Sequence, residues 1–559
     1  MTNLEISNLF NLYAQLMELH EENPFKIRPY TYAVRTIKNF GVEINSLSDK
    51  EIVELPGISK TITKKILEIF KTGTIAELEI LLEKTPQGVI EMLSLKGFGP
   101  KKIGQIWKEL EIETLGELYY ACLENRIALL KGFGQKTQEN LLSIIEFKFQ
   151  NKHKWLWARI EPIAISLLNT LEENFPNEAI DFTGEYRALN QTVESLDFVT
   201  QIELKKVELF LQKNQFQVDS YENNVLAYES PLGIKGKFYI VNSDADFVLK
   251  RFETSANKLH VEFILEKIRD KKNAFRSEEE IYEHSNMPFV PIVMRENHIE
   301  FDRIKAQKLD QIVNEKDIKG IVHAHSNWSD GGNSLEELAQ YIKNQGFEYL
   351  AISDHSKSAF YANGLSEERV LHQQIEIDKL NKDLSPFKIF KGIESDILYD
   401  GSLDYPDEIL ATFDFVIASI HSVLKMDEEK ATSRIIKAIE NKFTTILGHP
   451  TGRLLLSRKG YPLNFEKIID SCAQNKVIIE LNANPHRLDL DWKWIDYAMQ
   501  KGVKIAINPD AHNLKGINDI RYGVIQAQKG GLTRDFLWNY LNAAEIEQYL
   551  TKRKEFKKH

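Results

Sequence analysis

Nine side chains able to bind a cation stand at or just beyond the ends of short apolar runs in the last third of the sequence. The runs read IVHAHS, YLAISDHS, IFKGIESDIL, FVIASIHS, TTILGHP, KVIIELNA and KIAINPDAH. All but KVIIELNA deliver a possible ligand: His323 and His325, His355, Glu394, His421, His449, then Asp510 and His512, with Asp330 following His325 in NWSDGG. Six of the fourteen histidines lie at these ends, which chance placement would seldom give. A mixed set of imidazoles and carboxylates suits Zn2+, Mn2+ or Fe2+ better than Ca2+ or a thiolate site. His323 and His325 are two residues apart, so at a strand end both rings leave one face and can hold one ion. Glu394 and Asp510 are the carboxylates that could bridge two ions.

Each run is short and rich in β-branched and aliphatic residues, as a strand buried on both faces requires. Segments of helical periodicity such as SLEELAQYIKNQG and TSRIIKAIENK lie between several of them. The alternation predicts a β/α barrel over residues 318–559. In such barrels the C-terminal strand ends open on one mouth, where the polar tips would converge.

The motifs H-x-H-S-x-W-S-D-G, S-D-H-S, G-I-E-x-D, S-I-H-S, H-P-T-G-R and D-A-H resemble those of the polymerase-and-histidinol-phosphatase (PHP) family of metal phosphoesterases. The resemblance implies a distorted (β/α)7 barrel carrying a trinuclear centre of Mn2+ and/or Zn2+. His323, His325, Glu394 and Asp510 would hold one metal, Glu394, His421 and His449 a second, and Asp330, His355 and His512 the third. Glu394 and Asp510 would be indispensable to catalysis. Arg453, in HPTGR, is a candidate clamp for a substrate phosphate.

The whole chain of 559 residues is long enough for about three or four domains, each with a core. Its two cysteines, Cys122 and Cys472, are far apart and outside any CxxC, which excludes a disulfide framework and a thiolate zinc site and fits a reducing compartment. The first residues read as an acidic amphipathic helix rather than a signal, and no run is long enough to span a membrane. A cytoplasmic, monomeric protein is expected. The formal charge of −11 speaks against a uniformly basic nucleic-acid binder, so DNA contacts must come from local devices.

Three such devices recur: LPGISKTITKKI at 55, LKGFGPKKIGQI at 95 and LKGFGQKTQENL at 130. In each a glycine turn leads into a helix whose free N–H groups can meet a phosphate. The candidate contacts are Gly57, Ser59 and Lys60, then Gly97, Gly99 and Lys101, then Gly132, Gly134 and Lys136, with Ser59 in place of a second glycine. They resemble helix-hairpin-helix elements, which grip the DNA backbone without reading sequence. Ahead of them, ENPFKIRPYTYAVRTI sets Lys26, Arg28, Tyr30 and Arg35 around one helix start. Together these features resemble the small N-terminal domain of X-family DNA polymerases. That resemblance implies a Schiff-base role for Lys65 at abasic sites, which needs a lowered lysine pKa.

The likeness continues as a palm over 151–260 and a thumb-like segment over 261–300, and it weakens in the palm. The family's Gly-Ser turn with arginines becomes Gly184, Glu185, Tyr186 and Arg187. Its Asp-x-Asp becomes Ser195, Leu196 and Asp197, and IKGKFYIV holds no third aspartate. Two-metal phosphoryl transfer needs carboxylates converging from one face. Glu194, three residues from Asp197, would point to the opposite face of a strand. The palm is expected to fold but to polymerise poorly, with Mg2+ serving any residual activity. MPFVPIVMREN and the polar residues up to Asp317 read as a linker stiffened by Pro288 and Pro291, and KRKEFKKH as a solvated helix end. The expected domains are 1–90 and 91–150 for the hairpins, 151–260, 261–300, a linker over 301–317, and 318–559.

Over its whole length the chain is similar to bacterial PolX proteins, which join an X-family polymerase core to a C-terminal PHP domain. The resemblance implies DNA repair, with hairpins holding gapped, nicked or 3′-blocked DNA while the barrel hydrolyses 3′ nucleotides or phosphates. A gap-filling polymerase with an editing barrel is the first alternative, disfavoured by Ser195 and the missing carboxylate. A non-catalytic repair scaffold would leave nine ligand positions as buried polar groups without a use. A small-molecule phosphatase would leave the hairpins idle.

Overall fold

A computed structural model of the chain describes residues 1–556 apart from 39, 41, 56, 124, 269–273 and 297–308. It divides into two compact units, Met1–Lys152 and His153–His559. No helix among the described residues is long and apolar enough to cross a membrane.

The first unit is helical. Its opening helix, Asn3–Leu19, begins at a capping box in which Thr2 and Glu5 satisfy each other's free backbone groups. A single apolar cluster runs from Ile6 to Ile145 and draws on the helices Lys60–Thr72, Pro100–Leu110 and Gly134–Gln150. Residues 1–90 and 91–150 thus share one core.

The second unit starts with β1 (Trp155–Leu156), β2 (Ile180–Thr183), β3 (Thr192–Val193), β4 (Asp197–Thr200), β5 (Gln217–Glu222), β6 (Val225–Glu229) and β7 (Lys235–Ile240). Five of these form a sheet in the order β2-β4-β7-β6-β5, in which β4 and β7 run parallel and the other pairs antiparallel. Helices Asp244–Ser255, Lys258–Glu266 and Glu278–His284 follow, gathering Phe252, Ile264, Ile281 and Tyr282 with Val290, Val293 and Met294. The MPFVPIVMREN stretch, expected to be a linker, is therefore packed as far as Glu296. Its apolar side chains fill this cluster, and buried Arg295 pairs with Glu278 at 2.6 Å. Residues 301–308 of the expected linker lie outside the described residues. Beyond them Val313 is buried and Arg534 pairs with Asp317 at 3.0 Å.

The remainder is the barrel: β8 (Gly320–Val322), β9 (Tyr349–Ile352), β10 (Lys388–Asp396), β11 (Phe415–Ser419), β12 (Ile446–Leu447), β13 (Ile478–Asn482) and β14 (Ile505–Asn508). They lie side by side in chain order, all parallel. The ends meet where the His325 N–H donates to the Ala511 carbonyl at 2.8 Å, so the seven-stranded barrel is nearly closed. Because strand side chains alternate, Phe390 and Glu394 share the inward face of β10, and Ile478 and Glu480 that of β13. The inward layer is apolar at the bottom, where Tyr349, Phe390, Phe415 and Ile478 pack with buried Trp538 and the helix Ala543–Phe556. It turns polar toward the C-terminal ends. That last helix is not a wholly solvated end: Arg553 is buried and donates to the carbonyls of Lys476 and Thr444.

Candidate functional site

Glu394, fully buried on β10, is the hub of the barrel's mouth. Its Oε1 lies 2.9 Å from His449 Nε2, 3.1 Å from His421 Nε2 and 3.3 Å from His323 Nε2. Its Oε2 lies 3.0 Å from His355 Nδ1 and 3.7 Å from His325 Nε2. Asp510 Oδ1 stands 3.1 Å from His325 and 3.5 Å from His323, and Asp330 Oδ2 stands 3.4 Å from His512 and 3.7 Å from His355. All nine residues singled out in the sequence therefore meet in one place. Three groups have ligand atoms close enough to share an ion: His323, His325 and Asp510; His355, Glu394 and His421; and His325, Asp330, His355 and His512. His355 and His325 thus each sit between two groups. His323 and Asp510 follow their strands with φ of 64° and 51°, in the left-handed region that bulky residues rarely visit. Such turns at strand ends fold the side chains back into the mouth.

Burial alone would keep all these groups neutral; mutual charges override it at His323, Glu394 and Asp510 but not at His325. His323 is held well above its ordinary value, burial being outweighed by Glu480, Asp510 and Glu394. Burial is likewise outweighed at Glu394, whose pKa His421, His323 and His355 drive well down, and at Asp510, driven down chiefly by His323. Burial pushes His325 down to about 3, reinforced by His512 and His355. Several buried polar atoms face one another without a well-formed hydrogen bond among the described residues, including Glu394 Oε2 and His325 Nδ1. Converging donors of this kind fit divalent cations, which would satisfy them together.

A supporting layer with no counterpart among the residues singled out in the sequence surrounds these groups. Glu480, buried on β13, accepts from His323 Nδ1 at 2.6 Å, from Asn508 at 2.8 Å and from Asn482 at 2.9 Å. Asn482 also donates to Asp510 Oδ2 at 3.0 Å. Asp396 bonds His421 Nδ1, and Asp354 accepts from Ser326, Ser329 and Gln373, which fixes the loop carrying Asp330. The available signal was positional: Glu480 lies two residues past Ile478 on the inward face, in the run that had no ligand at its tip.

Arg453 is not presented to a substrate. Its guanidinium donates to the Arg487 carbonyl at 2.9 Å, to Asp491 at 2.8 Å, to Gln191 at 3.3 Å and to the Leu488 carbonyl. The arginine that reaches the centre is Arg487, whose Nε lies 3.4 Å from Asp510 Oδ2.

In the helical unit the three echoes share one geometry. Gly57, Gly97 and Gly132 take φ of 81°, 84° and 87°, where an L side chain is strained. The residue after each, Ile58, Phe98 or Phe133, is buried in the common core. Ser59 caps the first following helix by accepting from Ile62 N–H, Gly99 caps the second, and Gly134 is itself the first residue of the third. Lys60, Lys101 and Lys136 are exposed beside them. Tyr30 does not join the basic face; it is buried against the rings of Phe10 and Tyr13. Lys65 departs from its expected role. It bonds Glu68 at 2.7 Å and also Glu77, and although burial works to lower its pKa, these two carboxylates raise it. A lysine held as ammonium is not a nucleophile.

In the palm, Gly184 crowds Asp197: a Cβ there would lie 2.8 Å from Asp197 Oδ2. Asp197 is buried, and burial lifts its pKa to about 6, against weaker opposing effects of Ser195 and Lys237. Ser195 bridges to Lys235 on the parallel neighbour, so the positions beside Asp197 offer a hydroxyl and lysines. Arg187 turns inward to Glu278 at 3.0 Å, a carboxylate it shares with Arg251 and Arg295. Glu194 pairs with Lys154 at 3.0 Å.

Residues 1–75 match the helix-hairpin-helix domain family and residues 322–484 the PHP domain family. The DNA polymerase/3′-5′ exonuclease PolX of Bacillus subtilis (strain 168) is 32% identical over 576 aligned residues, covering 98% of this chain and 99% of that protein. A probable phosphatase of Thermoanaerobacter sp. (strain X514) is 27% identical over 256 residues, 42% of this chain and 97% of that one. A probable phosphatase of Acetivibrio thermocellus is 28% identical over 209 residues, 35% of this chain and 80% of its own length. The chain belongs to the bacterial PolX family, with helix-hairpin-helix elements at its start and a PHP domain at its end.

Proposed function

We propose that this protein hydrolyses 3′ ends of gapped, nicked or 3′-blocked DNA at the barrel, as a metal-dependent 3′-5′ exonuclease and 3′ phosphoesterase, and that its palm does not polymerise. The observation that carries the reading is the environment of Glu394, whose two oxygens face five imidazoles within 3.7 Å. His323, His325, Glu394 and Asp510 would hold one ion, Glu394 with His421 and His449 a second, and Asp330, His355 and His512 a third, with His355 also within reach of the second. A divalent cation such as Mn2+ or Zn2+, held by these residues, would supply a water of lowered pKa and charge to meet the departing oxygen. Glu480 and Asp396 accept hydrogen bonds from Nδ1–H of His323 and His421, which leaves each Nε2 directed at the centre. Arg487 beside Asp510 meets the phosphate of the substrate. The hairpins hold DNA by backbone contacts that are indifferent to sequence. The working domains are the helical unit, a palm and thumb to about residue 300, and the barrel from 318, acting as a cytoplasmic monomer.

The test is a 5′-labelled gapped duplex with Mn2+: 3′ shortening supports the reading, and an intact strand under every divalent metal refutes it. A second reading, gap filling, is favoured by the Bacillus subtilis relative's name. Against it stand Ser195 and Lys235, where further carboxylates would be needed beside Asp197.

A further inference from the structure

We infer that Gln191 of the palm is a positioning residue for the barrel's site, acting through Arg453 on Arg487. The inference rests on the hydrolytic reading above and assigns the palm a use that needs no catalytic carboxylates.

Gln191 sits between the Gly184–Arg187 turn and β3, and its carbonyl accepts from the Trp157 N–H at 3.2 Å. Its carboxamide leaves the palm and enters the barrel. Oε1 accepts from Arg453 at 3.3 Å, and Nε2 donates to Gln526 at 3.0 Å. The contact is flanked by Lys529 donating to Asn190 at 2.9 Å and by the Arg521 fork on Glu161, with one arm at 2.9 Å. Palm and barrel therefore meet through oriented polar pairs beside the edge-on packing of Trp157 and Tyr522 at 6.0 Å, and the polar pairs add directional restraint.

On the barrel side, Arg453 holds the segment 487–491 at three points: the carbonyls of Arg487 and Leu488, and the Asp491 carboxylate. The residue whose carbonyl is pinned is the same one whose side chain reaches Asp510. Arg487 is mostly buried, and among the described residues its terminal nitrogens have no protein hydrogen-bond partner. A guanidinium anchored by Nε beside a metal-binding carboxylate, with Nη groups left for a ligand, has the donor geometry for a phosphate. Arg453 needs an acceptor at each donor to keep one orientation, and Gln191 supplies the one that comes from outside the barrel.

The experiment uses full-length Mn2+-loaded protein with Gln191→Leu, Gln191→Glu, Arg487→Ala and the Gln191→Leu/Arg487→Ala pair. Inorganic phosphate is titrated calorimetrically into each, alongside kcat and KM for 3′ nucleotide removal, melting temperature and DNA affinity. Gln191→Leu should weaken phosphate binding and lower kcat/KM, each about 10-fold, with melting temperature and DNA affinity at wild-type values. Gln191→Glu, which still accepts from Arg453, should restore both. In the Arg487→Ala background Gln191→Leu should have no further effect. Wild-type phosphate affinity in Gln191→Leu, or an undiminished loss in the Arg487→Ala background, overturns the inference. If no variant, nor the wild type, hydrolyses DNA, the hydrolytic reading fails by itself, and the phosphate titration still decides for or against the brace.

Discussion

Asp197 and Lys237 stand side by side on neighbouring parallel strands. The pairing of Phe198 with Phe238 continues back one step to bring both side chains to one face of the palm sheet. A site for two cations would need a second and third carboxylate there; this sheet offers an ammonium group and the Ser195 hydroxyl. Asp197 is left as a buried acid whose pKa is raised by burial more than Lys237 and Ser195 lower it.

That burial has a consequence for stability. The folded-state pKa of Asp197 is about 6, against an ordinary 3.8. Between these values the unfolded chain has released its proton while the folded chain retains it, so stability falls as pH rises through that window, by up to about 3 kcal/mol. Asp197→Asn should match wild type near about pH 4 and melt higher at about pH 7. Thermal melts at the two pH values check this, and a lower melting temperature for the variant at the higher pH would refute it.

The hub of the barrel should tolerate no loss of charge. Glu394→Gln or Asp510→Asn is expected to abolish hydrolysis while DNA affinity stays within about twofold of wild type, since DNA is held elsewhere. Glu480→Gln, which weakens the hold on His323 without removing a ligand, should cost about 10 to 100-fold in activity or metal affinity. Retention of more than about a tenth of activity in Glu394→Gln would refute the assignment.

Gly97 and Gly132 are the better probes of the hairpins, because their positive φ makes any β-branched residue strained. Gly97→Val should weaken binding to all DNA sequences alike, and wild-type affinity should fall steadily with salt. Filter binding across two unrelated sequences at several salt concentrations measures both. A loss confined to one sequence contradicts backbone recognition.

Lys65, clasped by Glu68 and Glu77, should form no Schiff base with abasic DNA at neutral pH. Borohydride trapping should therefore be the same for wild type and Lys65→Ala. A cross-link present only in wild type would show that DNA binding strips the two carboxylates away.

The residues that converge at the barrel's mouth were legible because eight of the nine end an apolar run and Asp330 follows close behind one, a juxtaposition that needs no knowledge of distant partners. Glu480 was hidden in VIIELN because an inward-facing carboxylate in a strand looks like any other interruption until the opposite strands are placed. Arg453 was misread for a related reason: a guanidinium's role depends on its acceptors, and those come from residues 487–491 and from Gln191, far off in the chain. The packed stretch around Val290 and Met294 was masked by its prolines, although its apolar residues alone could have signalled a buried segment. Lys65 stands in the helix Lys60–Thr72 as its periodicity implies, but its charge is held by Glu68 and by Glu77, twelve residues on.

The most direct measurement sets the barrel against the palm on one substrate. A labelled gapped duplex is incubated with Mn2+, with and without the four deoxynucleotides, using wild type and His323→Ala, a variant that removes a ligand of the proposed metal centre. Wild type should shorten the primer whether or not nucleotides are present, and His323→Ala should neither shorten nor extend it. Nucleotide-dependent extension by His323→Ala at about 1 per second, a rate typical of enzymes, would contradict this and return the palm to catalysis.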